Sequence, residues 1–118
     1  MNAKDCKHEQ EHQAAVERAK GAELSTEIVA KVCNIFRILG EPSRMKIVLA
    51  LTKGELCVFH IVEACGGTQS AVSHQLRVLK DNGIVKARRD GQNVVYSIAD
   101  EHVWEIVEMG VAHIACAL

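Results

Sequence analysis

The spacing of apolar and polar residues predicts two helices in the chain before residue 55. The first carries apolar residues at helical intervals: Ile28, Val32, Ile35, Phe36 and Leu39. Ser25 or Thr26 can cap its start, and Gly40 can end it. Pro42 suits the first turn of the second helix, which we expect Gly54 to end. The inward positions of that helix are Met45, Val48 and Leu51.

Two further helices, separated by a glycine turn, are predicted next. A short helix runs from Glu55 to about Cys65, and Gly66-Gly67 forms a tight turn. Thr68 caps the following helix, Gln69 to Asn82, which Gly83 terminates. One stripe of that helix belongs in the core: Val72, Leu76 and Leu79. The opposite face is polar and cationic: Ser70, Ser73, His74, Arg77 and Lys80. This order predicts a helix-turn-helix.

A β-hairpin is predicted after the helix-turn-helix. Ile84 to Arg89 and Asn93 to Ile98 alternate like strands around Asp90-Gly91, which is a strong turn signal. Arg88 and Arg89 stand near its tip. We therefore predict a mainly α fold with a β-hairpin wing, a winged helix-turn-helix that forms a homodimer through its terminal helices.

Length and composition favour a single small domain. The chain has 118 residues, of which 48% are apolar and 3% aromatic, and this suits a small helical core. We expect residues 1–22 to form a flexible arm that becomes partly helical from about Glu9, and residues 23–118 to form the winged domain. No apolar run approaches the ~20 residues that span a bilayer, and no signal-peptide pattern opens the chain. We expect a cytoplasmic protein with no membrane partner.

Charge is distributed unevenly along the chain, although the net charge is only −1. The segment between Thr68 and Tyr96 contains five basic residues and two acidic ones. From Asp100 onward there are four acidic residues and no Lys or Arg. The first segment suits an anion and the second a cation. The five cysteines are widely spaced and accompanied by six histidines, which favours reduced thiols or metal ligands over disulfides.

Four residues with metal-binding side chains stand near the C-terminus: Asp100, His102, His113 and Cys116. If residues 100–117 form one helix, His102 and His113 share a face but lie roughly 16 Å apart along the axis, too far for one ion to bridge. A site using all four must take the first two from one helix and the last two from an antiparallel copy, which gives two sites per dimer. These donors suit Zn(II), with Co(II) as a mimic and Cd(II) acceptable through the thiolate. The alternative is an N-cap aspartate, two interface histidines and a buried cysteine.

Four motifs occur in order along the chain: Leu39-Gly40-Glu41-Pro42-Ser43-Arg44, Glu55-Leu56-Cys57-Val58, Gln69-Ser70-Ala71-Val72-Ser73-His74-Gln75-Leu76 and Tyr96-Ser97-Ile98. Together they resemble the ArsR/SmtB family of metal-sensing repressors over roughly Ile28 to His113. The resemblance implies a dimeric winged helix that represses transcription until a metal binds. The C-terminal ligand set resembles the zinc site of the family's zinc and cobalt sensors, with Cys116 where a histidine or glutamate is more familiar.

The resemblance also implies a second metal site near the N-terminal arm. Cys57 matches the family motif, and His60 stands where some relatives have an aspartate. Their i, i+3 spacing puts them on one helical face. Cys6 with His8 or His12 could complete this site from the arm. The alternative is a packed thiol beside a surface histidine.

We expect double-stranded operator DNA to be the partner, with the Gln69–Asn82 helix of each protomer in a major groove. The groups that approach bases or phosphates are Gln69, Ser70, Ser73, His74 and Gln75. The cations that neutralise the backbone are Arg77, Lys80, Arg88 and Arg89. No nucleophile, phosphate loop or carboxylate pair indicates an enzyme. Two alternatives stay open: a thiol-redox or sulfide-responsive repressor using Cys6, Cys57 or Cys116, and a metal-buffering protein without specific DNA binding.

Overall fold

Six helices and three strands make up residues 9–21 and 25–117, the part of the chain that this computed structural model describes. The helices are α1 (Glu9–Gly21), α2 (Thr26–Leu39), α3 (Pro42–Leu51), α4 (Val58–Cys65), α5 (Gln69–Asp81) and α6 (Glu101–Ala117). The strands are β1 (Leu56–Cys57), β2 (Val85–Asp90) and β3 (Asn93–Ile98). The chain divides into two units, Met1–Cys33 and Asn34–Leu118. Among the described helices, none is long and apolar enough to cross a membrane.

The first unit contains α1 and the beginning of α2. α1 starts at Glu9, and none of its side chains is buried. The hydroxyl of Ser25 accepts a hydrogen bond from the backbone N–H of Ile28 at 3.2 Å. Ser25 therefore provides the predicted cap of α2, because it satisfies one of the N–H groups that have no partner in the first helical turn.

The first helix that lies wholly in the second unit, α3, is capped by a carboxylate. Both oxygens of Glu41 accept backbone N–H groups, from Ser43 at 3.1 Å and from Arg44 at 3.0 Å. Pro42 occupies the first turn as predicted, where its missing N–H has no intrahelical partner to lose. The helix ends at Leu51, three residues earlier than the glycine that we expected to end it.

α4 and α5 form the predicted helix-turn-helix. Gly66 and Gly67 make the turn with φ of +83° and +86°, a region that glycine adopts without steric cost. The Thr68 hydroxyl then accepts the N–H of Ala71 at 3.0 Å and starts α5. The apolar stripe of α5 is buried as predicted: Val72, Leu76 and Leu79.

The wing is a three-stranded antiparallel sheet rather than a two-stranded hairpin. Its order is β1-β3-β2, so β3 is the central strand and the predicted hairpin supplies two of the three strands. β1 pairs with β3 through Leu56↔Tyr96 and Cys57↔Val95. The prediction of a helix from Glu55 was therefore wrong for the three residues before Val58, because pairing of Leu56 and Cys57 with β3 overrides their local preference. The helix-turn-helix with this sheet confirms the winged helix-turn-helix fold.

One apolar core joins these elements in the second unit. Its members come from the end of α2, from α3, α4 and α5, from Ile84 and the start of β2, and α6 adds two more. The core residues are Ile38, Leu39, Ile47, Val48, Leu51, Ile61, Val72, Leu76, Leu79, Ile84, Val85, Val103 and Val107. No polar or charged side chain is buried among the described residues. The polar groups considered below therefore lie on the surface of a rigid apolar scaffold.

Candidate nucleic-acid interface and metal-ligand residues

The exposed side of α5 gathers small polar and cationic side chains around an open groove. The residues that line this groove are Gln69, Ser70, Ser73, His74 and Arg77. Lys80 is exposed one turn beyond Arg77. Because the buried stripe fixes the helix from the other side, these groups are held on the face that points away from the core. Hydroxyl, amide and imidazole groups next to cations are the residue types that contact bases and phosphates.

Gln75 differs from the other α5 residues predicted to reach DNA. It is half-buried, and its amide oxygen accepts a hydrogen bond from Nη1 of Arg44 at 3.2 Å. Nε of Arg44 also donates to the carbonyl oxygen of Ile38 at 2.8 Å. Arg44 thus ties α5 to α3 and to the end of α2. Gln75 lies between the scaffold and the exposed face.

The wing carries the second group of cations. Arg88 and Arg89 are exposed near the end of β2, where they pair with Val95 and Val94 of β3. Arg88 already has a partner, because its guanidinium donates to the carboxylate of Glu55 from two nitrogens, Nε at 3.3 Å and Nη2. This hydrogen bonding lowers the pKa of Glu55 and raises the pKa of Arg88.

α6 holds the four predicted C-terminal ligands in two separate pairs. Asp100 precedes the helix, and its Oδ1 accepts the N–H of Val103 at 3.1 Å. The same oxygen lies 3.5 Å from Nδ1 of His102, whose side chain is 88% exposed. His113 and Cys116 are exposed three residues apart near the other end of the helix. Within the described part of the chain, no three His, Cys, Asp or Glu side chains are close enough to hold an ion.

The second predicted ligand pair lies where β1 leads into α4. Sγ of Cys57 is 3.3 Å from Nδ1 of His60, so these two side chains do come together. The Cys57 thiol is half-buried and His60 is exposed. The proposed arm ligands Cys6 and His8 lie outside the described residues.

The winged domain is similar to known regulators. Residues 41–87 match the family described as "Bacterial regulatory protein, arsR family". The "Transcriptional repressor SmtB homolog" of Synechocystis sp. is 39% identical over 95 residues, which cover 80% of this chain and 72% of that protein. The chain belongs to the arsR family.

This arsR-family chain is also similar to a second curated regulator and to a solved structure. The "Cadmium resistance transcriptional regulatory protein CadC homolog" of Staphylococcus aureus is 38% identical over 103 residues, covering 86% of this chain and 84% of that protein. Among solved structures, the homodimeric winged helix-turn-helix domain of Mb0332 from Mycobacterium bovis superimposes with a TM-score of 0.70 at 31% identity. The superposition covers 80% of this chain and 89% of the Mb0332 chain. The relatives are transcriptional regulators rather than enzymes.

An apolar groove of about 590 Å³ separates α6 from α3 and the end of α2 in this arsR-family chain. Among the α6 residues whose burial the structure describes, Val103 and Val107 are buried in the single chain. Ile106 and Ile114, which also lie on α6, remain 39% and 59% exposed. The residues that line the groove are Phe36, Leu39, Gly40, Met45, Leu49, Ile106, Val107, Gly110, Val111, Ile114 and Ala115.

Sequence reasoning missed two side chains that organise the site of this arsR-family protein. Arg44 was read only as part of a motif, although it anchors Gln75, and Glu55 was assigned to a helix, although it holds Arg88. Neither contact carries a local signal, because the partners are 31 and 33 residues apart in sequence.

Proposed function

We propose that this arsR-family regulator is a homodimeric repressor that binds operator DNA and leaves it when a metal ion, Zn(II) in preference, binds between the protomers. The observation that carries the proposal is that α6 holds its two ligand pairs at opposite ends of one helix. A single chain cannot close a four-ligand site from them. Two antiparallel copies of α6 bring the complementary pairs together and close two sites at once.

The exposed face of α5 supports the DNA-binding part of the proposal. Gln69, Ser70, Ser73 and His74 present groups that can approach base edges, while Arg77 and Lys80 suit phosphates. The exposed Arg89 on the wing adds a third cation. In a dimer the two α5 helices would read half-sites of an imperfect palindrome, about one helical turn apart.

The apolar groove supports the dimer. Three exposed apolar side chains of α6, Ile106, Val111 and Ile114, line the groove, which a second copy would cover. The homodimeric Mb0332 domain, which shares this fold, is consistent with such pairing. Val103 and Val107 of α6 pack against the core of their own chain. The exposed side of α6 is then available for contact with a second protomer.

The donor set fits a zinc ion. The residues that would hold it are Asp100 and His102 of one protomer with His113 and Cys116 of the partner subunit. One carboxylate, two imidazoles and one thiolate form a donor set that zinc accepts in tetrahedral geometry. The thiolate also accommodates Cd(II), the metal in the name of the CadC homologue, and Co(II) suits the same donors. A bound ion supplies a cross-link between the protomers.

For metal binding to release DNA, the angle between the two α5 helices in the metal-bound dimer must differ from their angle in the DNA-bound dimer. Asp100 and His102 follow the wing directly, so a constraint on them bears on the domain that reads DNA. Linkage then requires DNA to weaken metal binding by the same factor by which metal weakens DNA binding. The coupling free energy is expected to be about 1–3 kcal/mol.

The test begins by selecting a DNA sequence that the protein binds. Metal-free protein would enrich a duplex from a random-sequence library, and fluorescence anisotropy would follow that duplex during titration with Zn(II) in the presence of a reductant. Release by Zn(II) from wild type but not from His102→Ala supports the α6 site. Enrichment of no palindromic sequence, or equal release from both proteins, would contradict the proposal.

The 3.3 Å contact between Cys57 and His60 favours a second metal site in the same protein. Cys57→Ala is therefore the matched variant in the anisotropy titration. Loss of release in Cys57→Ala alone would move the regulatory site to β1 and α4. Release by an oxidant, with no effect of Zn(II) under reducing conditions, would favour the thiol-redox alternative instead.

A further inference from the structure

The three-stranded sheet of the wing has two chemically different faces. Cross-strand partners in an antiparallel sheet share a face, and neighbouring residues on one strand alternate. Leu56 and Tyr96 are paired and pack against the core, so they mark the inner face. Cys57 and Arg88 both pair with Val95, which places them together on the outer face.

On that outer face an ion pair crosses the central strand. The Arg88 guanidinium comes from β2, and the Glu55 carboxylate directly precedes β1. β1 and β2 do not pair with each other, because β3 lies between them. Two guanidinium nitrogens donate to two carboxylate oxygens, and this fork-to-carboxylate geometry restricts orientation as well as distance.

Arg89 differs from Arg88 although it is the next residue. Strand alternation places it on the inner face, beyond Ala87, at a point close to the end of the wing. It is exposed there. Arg88, in contrast, forms an ion pair with Glu55. Any phosphate that approached the Arg88 guanidinium would therefore also approach the Glu55 carboxylate. The two neighbouring cations therefore offer very different surfaces to a polyanion.

We propose that Glu55 and Arg88 form a strap that fixes the wing for DNA binding, so that Arg89 contacts phosphate and Arg88 is a positioning residue. This inference rests on the DNA binding proposed above. The strap joins the two edge strands over Val95 and thereby sets the angle at which the tip of β2 leaves the sheet. Glu55 becomes a determinant of DNA affinity although it carries the same charge as DNA.

A charge swap separates the strap from a direct phosphate contact. Affinity for the enriched duplex would be measured across a range of salt concentrations for wild type, Arg88→Glu and the double variant Glu55→Arg/Arg88→Glu. The strap predicts that Arg88→Glu weakens binding roughly tenfold and that the swap restores affinity to within about threefold, because coupled partners are non-additive. It also predicts a salt slope equal to that of wild type in the swapped protein.

Arg89→Gln is the matched control on the same strand. It should reduce the salt slope of the dimer by about 1.8, because each of the two protomers loses one phosphate contact and each contact contributes about 0.9. A swap that stays as weak as Arg88→Glu would overturn the strap, as would a Glu55→Gln variant that binds more tightly with a steeper slope. Thermal unfolding of each variant checks that the domain stays folded. If wild type itself selects no duplex, the proposed function fails rather than the strap.

Discussion

The Asp100 carboxylate oxygen that caps α6 is also the oxygen that lies 3.5 Å from Nδ1 of His102. One atom therefore accepts the backbone N–H of Val103 and faces the imidazole of a proposed metal ligand. The cap orients the carboxylate before any ion is present, and the first helical turn brings the imidazole to it. The helix cap and the proposed metal ligand are consequently the same side chain, and substitutions at this position can separate the two roles.

Asn and Ala at position 100 should have different effects. Asparagine caps helices about as well as aspartate, so Asp100→Asn should unfold near the wild-type urea concentration, whereas Asp100→Ala should lose about 1 kcal/mol. Both variants remove the anionic ligand and should bind Zn(II) more weakly in competition with a chelating dye. Zinc affinity that survives in Asp100→Asn would show that the carboxylate is a cap only.

Arg44 is expected to stabilise the fold, whereas Arg77 is expected to act only on DNA. Replacing Arg44 by Met removes the donor of the Gln75 amide oxygen and leaves the Ile38 carbonyl with only the long 3.4 Å hydrogen bond from the Glu41 N–H, which should cost about 1–3 kcal/mol of unfolding free energy. Arg77 is exposed on α5, so Arg77→Met should leave urea unfolding unchanged and weaken DNA binding with a shallower salt slope. Equal unfolding midpoints for the two variants would rule out the anchoring role of Arg44.

The elements that depend on local pattern could be predicted from sequence, whereas those that depend on distant partners could not. The period of Val72, Leu76 and Leu79 is sufficient to orient α5, and a turn at Gly91 is sufficient to define the hairpin. A two-residue strand such as β1 has no period to detect. Its formation depends on β3, which follows some 40 residues later.

The same distinction applies to the candidate site. The i, i+3 spacing predicted that Cys57 and His60 could meet, and they are 3.3 Å apart, although Cys57 is the extended N-cap of α4 and not a residue of a helical face. The tie of Gln75 to Arg44 is a tertiary contact, and sequence spacing therefore gave no warning that this residue would be half-buried. The pairing of ligands between protomers depends on a second chain and remains a prediction.

Stability below neutral pH should depend on Glu41. Backbone hydrogen bonds from Ser43 and Arg44 lower the pKa of this carboxylate in the folded protein. Its contribution is therefore complete above the unfolded-state pKa of about 4.3 and disappears as the pH falls through the lower folded-state pKa. Glu41→Gln should be less stable than wild type at pH 7. The two proteins should converge in acid, as followed by thermal unfolding across pH, and a constant difference at all pH values would contradict this role.

The exposed apolar surface of α6 should control oligomeric state. Ile114 is 59% exposed in the single chain and lines the apolar groove, so Ile114→Glu should leave the fold intact but place a charge in the proposed dimer interface. Sedimentation equilibrium should show a monomer, and DNA affinity should fall roughly a hundredfold because each half-site is then bound alone. Val94→Glu is the matched control for oligomeric state alone, since Val94 is 37% exposed on the wing and lies outside the groove but pairs with Arg89. A dimer that persists in Ile114→Glu, or dissociates equally in Val94→Glu, would show that α6 does not form the interface.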